Sequence, residues 1–176
     1  MVLAADFGHG AISSELRNHL CESQAFLAVN TQANAGNRQF HTISQYGRAD
    51  FVSISGAELM LDQRVRNANM RVLATEAAAR HRSKLFVATL GRKGACGATR
   101  EGSFVETPAF VSHAVDTIGS GDAFLAISAM AVRLGIPDEV SIFLGNVAGA
   151  LAVQTVGNQK PVTRQELEKF VTSLLK

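Results

Sequence analysis

One nine-residue stretch, Asp116–Phe124, reads Asp-Thr-Ile-Gly-Ser-Gly-Asp-Ala-Phe and combines residue types that can bind a phosphate and move a proton. Gly119, Ser120 and Gly121 precede a segment with helical apolar spacing. At the first turn of a helix, free N–H groups and the positive end of the dipole bind anions, and glycine lets a ligand approach the backbone closely. Asp122 lies beside that anion site, where a carboxylate can accept the proton of an attacking hydroxyl. The stretch therefore predicts phosphoryl transfer with Asp122 as the general base.

The same stretch has a simpler structural interpretation. Gly119 and Gly121 can form a tight turn, and Asp122 can be a first-turn acid that stabilises the helix dipole. The whole string, however, resembles the signature of the PfkB (ribokinase-like) sugar kinases, in which position 120 is more often Ala than Ser. This resemblance implies that Asp122 is the catalytic base and that Gly119, Ser120 and Gly121 form an anion hole. We favour the functional interpretation.

Upstream of this motif, apolar strand-like runs alternate with helical patterns. This alternation predicts right-handed βαβ units and a mostly parallel sheet, which would position the motif. Predicted strands are Val2–Ala5, Phe26–Val29, Phe51–Ile54 and Leu85–Thr89. Predicted helices run from Ser13 or Ser14 to about Glu22 and from about Asn67 to Arg80. Two further strands, 95–99 and 103–107, predict an antiparallel hairpin at the sheet edge. The expected fold class is α/β.

The C-terminal part of the chain is predicted to be helical. An extended approach at 110–115 leads into a helix from Gly121 to Leu134, whose shared face carries Phe124, Ile127, Ala131 and Leu134. A second helix opens at Pro137 and runs to about Val156, and a third begins at Arg164. Gly135 and Gly157 suit the positions after helix ends, and Thr163 with Glu166 predicts a capping box. Three C-terminal helices are therefore expected to pack on the sheet.

Length and composition limit the class of protein. The 176 residues predict one domain, 1–176, and 47% hydrophobic with 18% charged residues is typical of a globular chain. A net charge of +2 is too small to indicate a nucleic-acid partner, and five scattered histidines show no metal-ligand spacing. Two cysteines form no disulfide framework, which favours a reducing, cytoplasmic location. The uncharged stretch from Val140 to Gln159 is interrupted by polar residues, so we expect a buried helix and no membrane span.

The resemblance to the sugar kinases extends over nearly the whole chain, but only to the C-terminal half of that fold. Asp6–Gly10 resembles the Asp-Tyr-Gly-Lys-Gly of heptose-phosphate kinases, the enzymes that feed ADP-heptose synthesis, with His9 in place of Lys. The loop 30–38 is also similar to heptose-kinase-like proteins. The family implies a three-layer α/β/α ribokinase-like fold. Its N-terminal part, with the sugar-binding region, has no counterpart in this sequence.

The resemblance also implies a nucleotide site. Thr89, Gly91 and Gly94 form a Thr-x-Gly-x-x-Gly turn like the one that follows the nucleotide in the family. Asn146 and Gly157 fall at positions that line the adenine pocket. The implied substrates are ATP and a sugar or sugar phosphate.

Two acidic positions are implied to act on cations. Glu58 matches the family's Asn-x-x-Glu, whose Glu organises Mg²⁺ indirectly, although Ser55 replaces the Asn. Ser55 and Glu58 also form a capping-box pattern, and both interpretations can hold together. Asp116 and Thr117 correspond to positions that border a monovalent cation such as K⁺ in some relatives.

Two functions fit these observations. The first is an ATP-dependent carbohydrate kinase, or its catalytic half, with Mg²⁺ as cofactor. The second is a non-catalytic nucleotide-binding half-domain that assembles with a separate N-terminal half. Because half of the sheet is expected to be missing, an exposed strand edge predicts a homo-oligomer or a complementing chain.

Overall fold

The computed structural model describes residues 1–34, 36–37, 40–110, 116–154 and 160–176. Its strands are β1 (Val2–Asp6), β2 (Leu27–Thr31), β3 (Phe51–Ser55), β4 (Leu85–Thr89), β5 (Ala95–Ala98) and β6 (Phe104–Thr107). Its helices are α1 (Ser14–Glu22), α2 (Gly56–Asp62), α3 (Met70–His81), α4 (Ser120–Arg133), α5 (Asp138–Ala152) and α6 (Arg164–Leu174). Short 3₁₀ turns occupy Ile43–Gln45 and Gly91–Lys93. The predicted strands and helices are thus present, with shifts at some ends.

The six strands form one sheet in the order β1-β2-β3-β4-β5-β6. Strands β1 to β4 are parallel, and β5 and β6 add an antiparallel hairpin at one edge. The register pairs Asp6 with Thr31 and Ser55 with Thr89, so the carboxyl ends of the parallel strands share one side of the sheet. The predicted mostly parallel sheet with an edge hairpin is confirmed.

The sheet carries a hydrophobic core on each face. Leu27 and Val29 face one core, which includes Leu73 and Ala77 of α3. Their neighbour Ala28 faces the other core, with Phe124, Leu125 and Ala129 of α4. Strand side chains alternate between faces, and parallel strands are buried on both sides. Helices therefore cover both faces, and the expected three-layer α/β/α architecture is confirmed.

Three helix ends differ from the prediction. Helix α3 begins at Met70 because the side chain of Asn69 caps it by accepting from the Arg71 N–H. Helix α5 ends at Ala152, short of the predicted Val156, and the carbonyl of its C-cap residue Val153 accepts from the Asp116 N–H at 3.2 Å. Pro137 is the N-cap of α5 and not part of its first turn.

Other details of the helical region follow from local chemistry. Leu134 is the C-cap of α4 and 78% exposed, so it does not share the buried face predicted for it. The two predicted capping boxes, at Ser55–Glu58 and at Thr163–Glu166, are both present. Gly135 has φ 76°, as its predicted place after a helix requires. The predicted extended approach at 111–115 and Gly157 lie outside the described residues. None of the described helices is long and apolar enough to cross a bilayer.

A buried histidine at the end of α3 makes stability depend on pH. His81 is 2% exposed, its Nδ1–H donates to the Tyr46 carbonyl at 2.9 Å, and its Nε2 has no hydrogen-bond partner among the described residues. Burial lowers the pKa of His81 below its ordinary value of 6.5. Below about pH 6.5 the unfolded chain binds a proton that the folded chain resists, so stability is complete above that pH and falls as the pH drops.

We therefore expect the free energy of unfolding to fall by up to about 1.4 kcal/mol per pH unit from this group below about pH 6.5. His81→Gln keeps an N–H donor for Tyr46 but cannot titrate, so the loss between pH 7.5 and 5.5 should be smaller in the variant. Urea unfolding at both pH values measures the difference. Equal losses in both proteins would contradict this role of His81.

Candidate active site

A cavity of about 420 Å³ opens on the side of the sheet where the parallel strands end. It lies between the turn after β4, the first turn of α4 and one face of α5. Seven of the site residues singled out from the sequence line it, namely Thr89, Gly91, Gly94, Thr117, Ser120, Gly121 and Asn146. In open α/β sheets, ligands bind in the crevice at the carboxyl ends of the strands. The cavity is therefore the natural ligand site of this fold.

The first turn of α4 supplies hydrogen-bond donors at this cavity. Gly119 is the N-cap and has φ 78°, a left-handed conformation that glycine adopts without strain. Among the described residues, the N–H groups of Gly121 and Asp122 find no backbone or side-chain acceptor. Free donors at the positive end of a helix bind anions. This end of the cavity, the anion end (Ser120, Gly121 and Thr117), therefore suits a phosphate group.

Gly121 is not required by the fold. Its φ is not positive, and a Cβ placed on it would meet no atom within 4 Å. A glycine inside a helix costs about 0.5–1 kcal/mol relative to alanine. Because neither the backbone nor the packing explains this cost, close approach of a ligand is the remaining physical reason for glycine here.

Asp122 follows directly and is exposed on the first turn of α4. Within the described part of the chain, its carboxylate makes no hydrogen bond or ion pair. Partial desolvation by the surrounding protein raises the pKa of Asp122 above its ordinary value of 3.8. A carboxylate with no structural partner and a raised pKa is suited to accept a proton. Asp122 is not itself among the residues that line the cavity, although its neighbour Gly121 is.

The turn after β4 forms one wall of the cavity. Gly91 has φ 58° and Gly94 has φ 89°, and a Cβ on Gly94 would lie 2.0 Å from the Thr107 carbonyl oxygen. Both glycines are therefore needed by the fold whether or not they contact a ligand. Arg92 lines the cavity beside them and has no hydrogen bond or ion pair among the described residues.

The opposite wall comes from α5 and the segment after β6. Asn146 donates from Nδ2 to Thr107 Oγ1 at 2.6 Å and to the Pro108 carbonyl at 3.1 Å. Phe110 also lines the cavity and packs edge-on against Phe143, with ring centroids 5.2 Å apart. The sequence analysis missed Phe110 as a lining residue, because a single aromatic in a connecting segment carries no periodic signal.

The two predicted cation-related acids lie outside this lining. Both carboxylate oxygens of Glu58 are engaged, one by the N–H and hydroxyl of Ser55 and the other by the Ala33 N–H at 2.9 Å. Asp116 accepts from the Ile118 N–H at 3.0 Å. No cluster of three metal-ligating side chains occurs among the described residues. The geometry of Glu58 fits the capping box and leaves its relation to Mg²⁺ a prediction.

The motif at the end of β1 is built around a buried carboxylate. Asp6 is 3% exposed and accepts from the Tyr46 hydroxyl at 2.8 Å and from the Gly8 N–H at 3.0 Å. Burial, followed by the bond to Asp6, raises the pKa of Tyr46 well above its ordinary value, so the phenol remains a donor. His41 Nε2 lies 3.4 Å from the same carboxylate. This network holds the turn at Gly8. His9 follows in the same turn, on the side of the sheet where the parallel strands end.

Comparison with known proteins now gives the family. The family model described as pfkB family carbohydrate kinase matches residues 18–165. This chain belongs to the pfkB family of carbohydrate kinases. The resemblance stated from the Asp116–Phe124 motif is thereby confirmed.

Individual relatives agree with this assignment. The chain is similar to the bifunctional protein HldE of Koribacter versatilis, with 29% identity over 175 residues, 98% of this chain and 35% of that protein. Its fold is similar to phosphofructokinase-2 from Escherichia coli in complex with potassium, with TM-score 0.76, 18% identity, and coverage of 93% of this chain and 52% of that one. Arabidopsis thaliana ribokinase complexed with ribose and ATP gives TM-score 0.74, 18% identity, and coverage of 96% and 55%. This chain thus spans about a third of the length of HldE and about half of the length of each of the two kinase structures.

Alanine substitutions at the two glycines of this motif are expected to change the stability of the chain in opposite directions. Gly121→Ala should stabilise the ligand-free chain by about 0.5–1 kcal/mol, because the helix gains propensity and nothing obstructs the new Cβ. Gly119→Ala should destabilise it by roughly 1–2 kcal/mol, because its φ is left-handed. Chemical denaturation of both variants without nucleotide measures the pair. Destabilisation by Gly121→Ala would show that the fold itself requires that glycine.

Proposed function

We propose that this chain is the nucleotide-binding and catalytic part of a carbohydrate kinase that transfers a phosphoryl group from ATP to a sugar or sugar phosphate hydroxyl. The observation that carries the proposal is a single juxtaposition. The free N–H donors of Gly121 and Asp122 and the carboxylate of Asp122 lie on one helical turn, and two residues of that turn, Ser120 and Gly121, line a cavity of about 420 Å³. An anion hole beside a proton acceptor is what in-line phosphoryl transfer requires of a protein.

In this proposal each group has one role. The predicted anion hole is Gly119, Ser120 and Gly121. Because the Ser120 N–H already donates to the Thr117 carbonyl at 3.4 Å, the free N–H groups of Gly121 and Asp122 are proposed to stabilise the charge that develops on the transferred phosphoryl oxygens. Asp122 accepts the proton of the attacking sugar hydroxyl, and its raised pKa brings it closer to the operating pH, where a general base is most effective. Thr89, Gly91 and Gly94 border the nucleotide.

Mg²⁺ is the proposed cofactor. The described residues gather no cluster of three acidic or histidine ligands, which fits an ion that binds mainly to nucleotide phosphates and water with one or two protein carboxylates. Bound there, Mg²⁺ would neutralise phosphate charge. Glu58 is the proposed carboxylate and acts through water, since its oxygens already accept from Ser55 and Ala33. Asp116 is proposed to border a monovalent cation such as K⁺.

The acceptor is proposed to be a heptose phosphate or a related sugar phosphate. Similarity to HldE over 98% of this chain supports this class, as does the Asp6–Gly10 motif. The sugar-binding residues would come from a complementing N-terminal half or from a second copy of the chain. Strand β1 supports such pairing, because it is a free sheet edge with Met1 and Leu3 exposed.

A second candidate function is nucleotide binding without turnover, as an assembly partner of a separate half. The observation that favours it is that the described lining of the cavity includes the turn after β4 and the first turn of α4 but does not include Asp122. The two candidates share the nucleotide site and differ only in whether an acceptor site is completed.

Nucleotide binding tests both candidates. Mg·ATP at millimolar concentration should raise the melting temperature of the chain by mass action. Gly121→Val should abolish the shift, because the side chain fills the space that the phosphate needs, while the ligand-free fold has room for it. Gly47→Val is the matched control, since Gly47 also has open space around it and does not line the cavity. No shift in the folded wild-type chain would exclude both functions.

Turnover separates the two candidates. With an acceptor site completed by an added N-terminal half, Asp122→Asn should lower kcat by roughly 10²–10⁴-fold, the usual range for loss of a general base. Affinity for Mg·ATP should hardly change, because the base acts in the transition state. ADP release with hexoses and heptose phosphates measures this, with the chain alone as background. Unchanged turnover in the Asn variant would remove Asp122 as the base.

A further inference from the structure

The side-chain amide of Asn34, in the loop after β2, has only one possible orientation. Its Oδ1 accepts from the N–H groups of Gly36 at 2.9 Å and Asn37 at 3.1 Å, and a backbone N–H can only donate. The other amide atom is therefore the Nδ2 donor, and it lies 3.2 Å from the Phe7 carbonyl, which can only accept. Three backbone groups thus determine which way the amide points.

His9, in the turn after β1, is the fourth partner of this amide. Its Nε2 lies 3.0 Å from Asn34 Nδ2, so Nε2 must accept the hydrogen bond and cannot carry a proton. A His9 ring bonded in this way is neutral, with its proton on Nδ1. Protonation of Nε2 would set one N–H group against another and break the contact. The hydrogen bond therefore exists only in the neutral form of the ring.

Two other histidines make side-chain hydrogen bonds in the described part of the chain, and both respond differently to a proton. His41 Nε2 lies 2.9 Å from the Asp6 carbonyl, and His81 Nδ1 lies 2.9 Å from the Tyr46 carbonyl. Because a carbonyl only accepts, these nitrogens donate whether the ring is neutral or charged. Of the three rings, His9 is the one that loses its bond when it gains a proton.

The charged and titratable groups of the surrounding elements are engaged elsewhere. They are Asp6 of β1, Arg17 of α1, His41 and Glu58 of α2. The Asp6 carboxylate is buried and lies 3.7 Å from Arg17 Nη1 and 3.4 Å from His41 Nε2. Glu58 accepts from its own helix cap and from the backbone of the loop after β2. None of these four side chains bonds to His9, so the state of its ring decides the contact.

We propose that the His9–Asn34 contact is a pH-sensitive link between the turn after β1 and the loop after β2. The neutral ring holds the Asn34 amide, which in turn accepts from Gly36 and Asn37. Histidine is the side chain whose ordinary charge change falls between about pH 5 and 8, so mild acidification breaks this link. The Phe7 carbonyl keeps its amide donors, so the release is local to the His9 side of the turn. It requires neither a nucleotide nor a sugar.

NMR of the imidazole nitrogens tests the protonation state that the link requires. Two-bond ¹H–¹⁵N correlation spectra of the whole chain at pH 7.5 should show His9 with its proton on Nδ1 and none on Nε2. His19 is the control in the same spectrum, because it is exposed on α1 and its side chain makes no hydrogen bond in the described part of the chain. It should show the tautomer mixture of a free ring. A His9 ring that carries its proton on Nε2, or the same mixture as His19, overturns the proposal.

Two substitutions at the exposed His9 imitate the two states of the link. His9→Gln offers an amide oxygen to Asn34 and does not titrate, whereas His9→Lys offers only donors. Solvent-exchange NMR at pH 7.5 should show the amides of Gly36 and Asn37 exchanging roughly 2- to 10-fold faster in the lysine variant, the range expected for loss of one hydrogen bond.

The wild-type chain should change from one pattern to the other with pH. Its exchange rates at these amides should equal those of His9→Gln at pH 7.5 and those of His9→Lys at pH 5.5, with all three proteins compared at each pH. Equal rates in the two variants, or wild-type rates that follow the same variant at both pH values, overturn the proposal.

Discussion

The position of the Asp116–Phe124 motif depends on one packing interaction, the contact between Phe124 of α4 and Gly145 of α5. Phe124 is 3% exposed and belongs to the core between α4 and the sheet, and it also lines the cavity. A Cβ at Gly145 would lie 2.8 Å from its ring, so the two helices approach as closely as they do only because residue 145 is glycine. This contact holds the first turn of α4 at the side of the sheet where the strands end. The free N–H groups and the carboxylate of Asp122 are placed by it.

Much of this arrangement could be predicted from the sequence because its causes are local. The strand runs, the Ser55 and Thr163 capping boxes and the glycine-rich turn before α4 are each encoded within a few residues. The order of strand and helix patterns then implies a parallel sheet, and with it a ligand crevice at the strand ends. The placement of Gly121 and Asp122 on the first turn of α4 was predictable for the same reason, since it belongs to a single helical turn, and their roles stay a prediction.

The features that could not be predicted depend on contacts between distant residues. Helix α5 ends at Ala152, and the carbonyl of Val153 bonds to Asp116, 37 positions away along the chain, a contact that no local pattern at 153 indicates. Asn146 bonds to Pro108 and Thr107, almost forty residues earlier. Glu58 combines a local contact that could be predicted with a distant one that could not. A local pattern predicted its capping box, but the bond to Ala33 that engages its second oxygen is a tertiary contact.

Three positions along α5 and at its C-cap contact other segments that surround the cavity. Asn146 is bonded to the end of the hairpin, Gly149 lies against the first turn of α4, and the Val153 carbonyl holds the segment that starts at Asp116. The first and last points are seven residues apart, about 10 Å along a helix, and a helix of this length bends little. Helix α5 therefore ties the end of the hairpin, the first turn of α4 and the segment that starts at Asp116 to one rigid element, so a substitution that tilts α5 is expected to shift all three together.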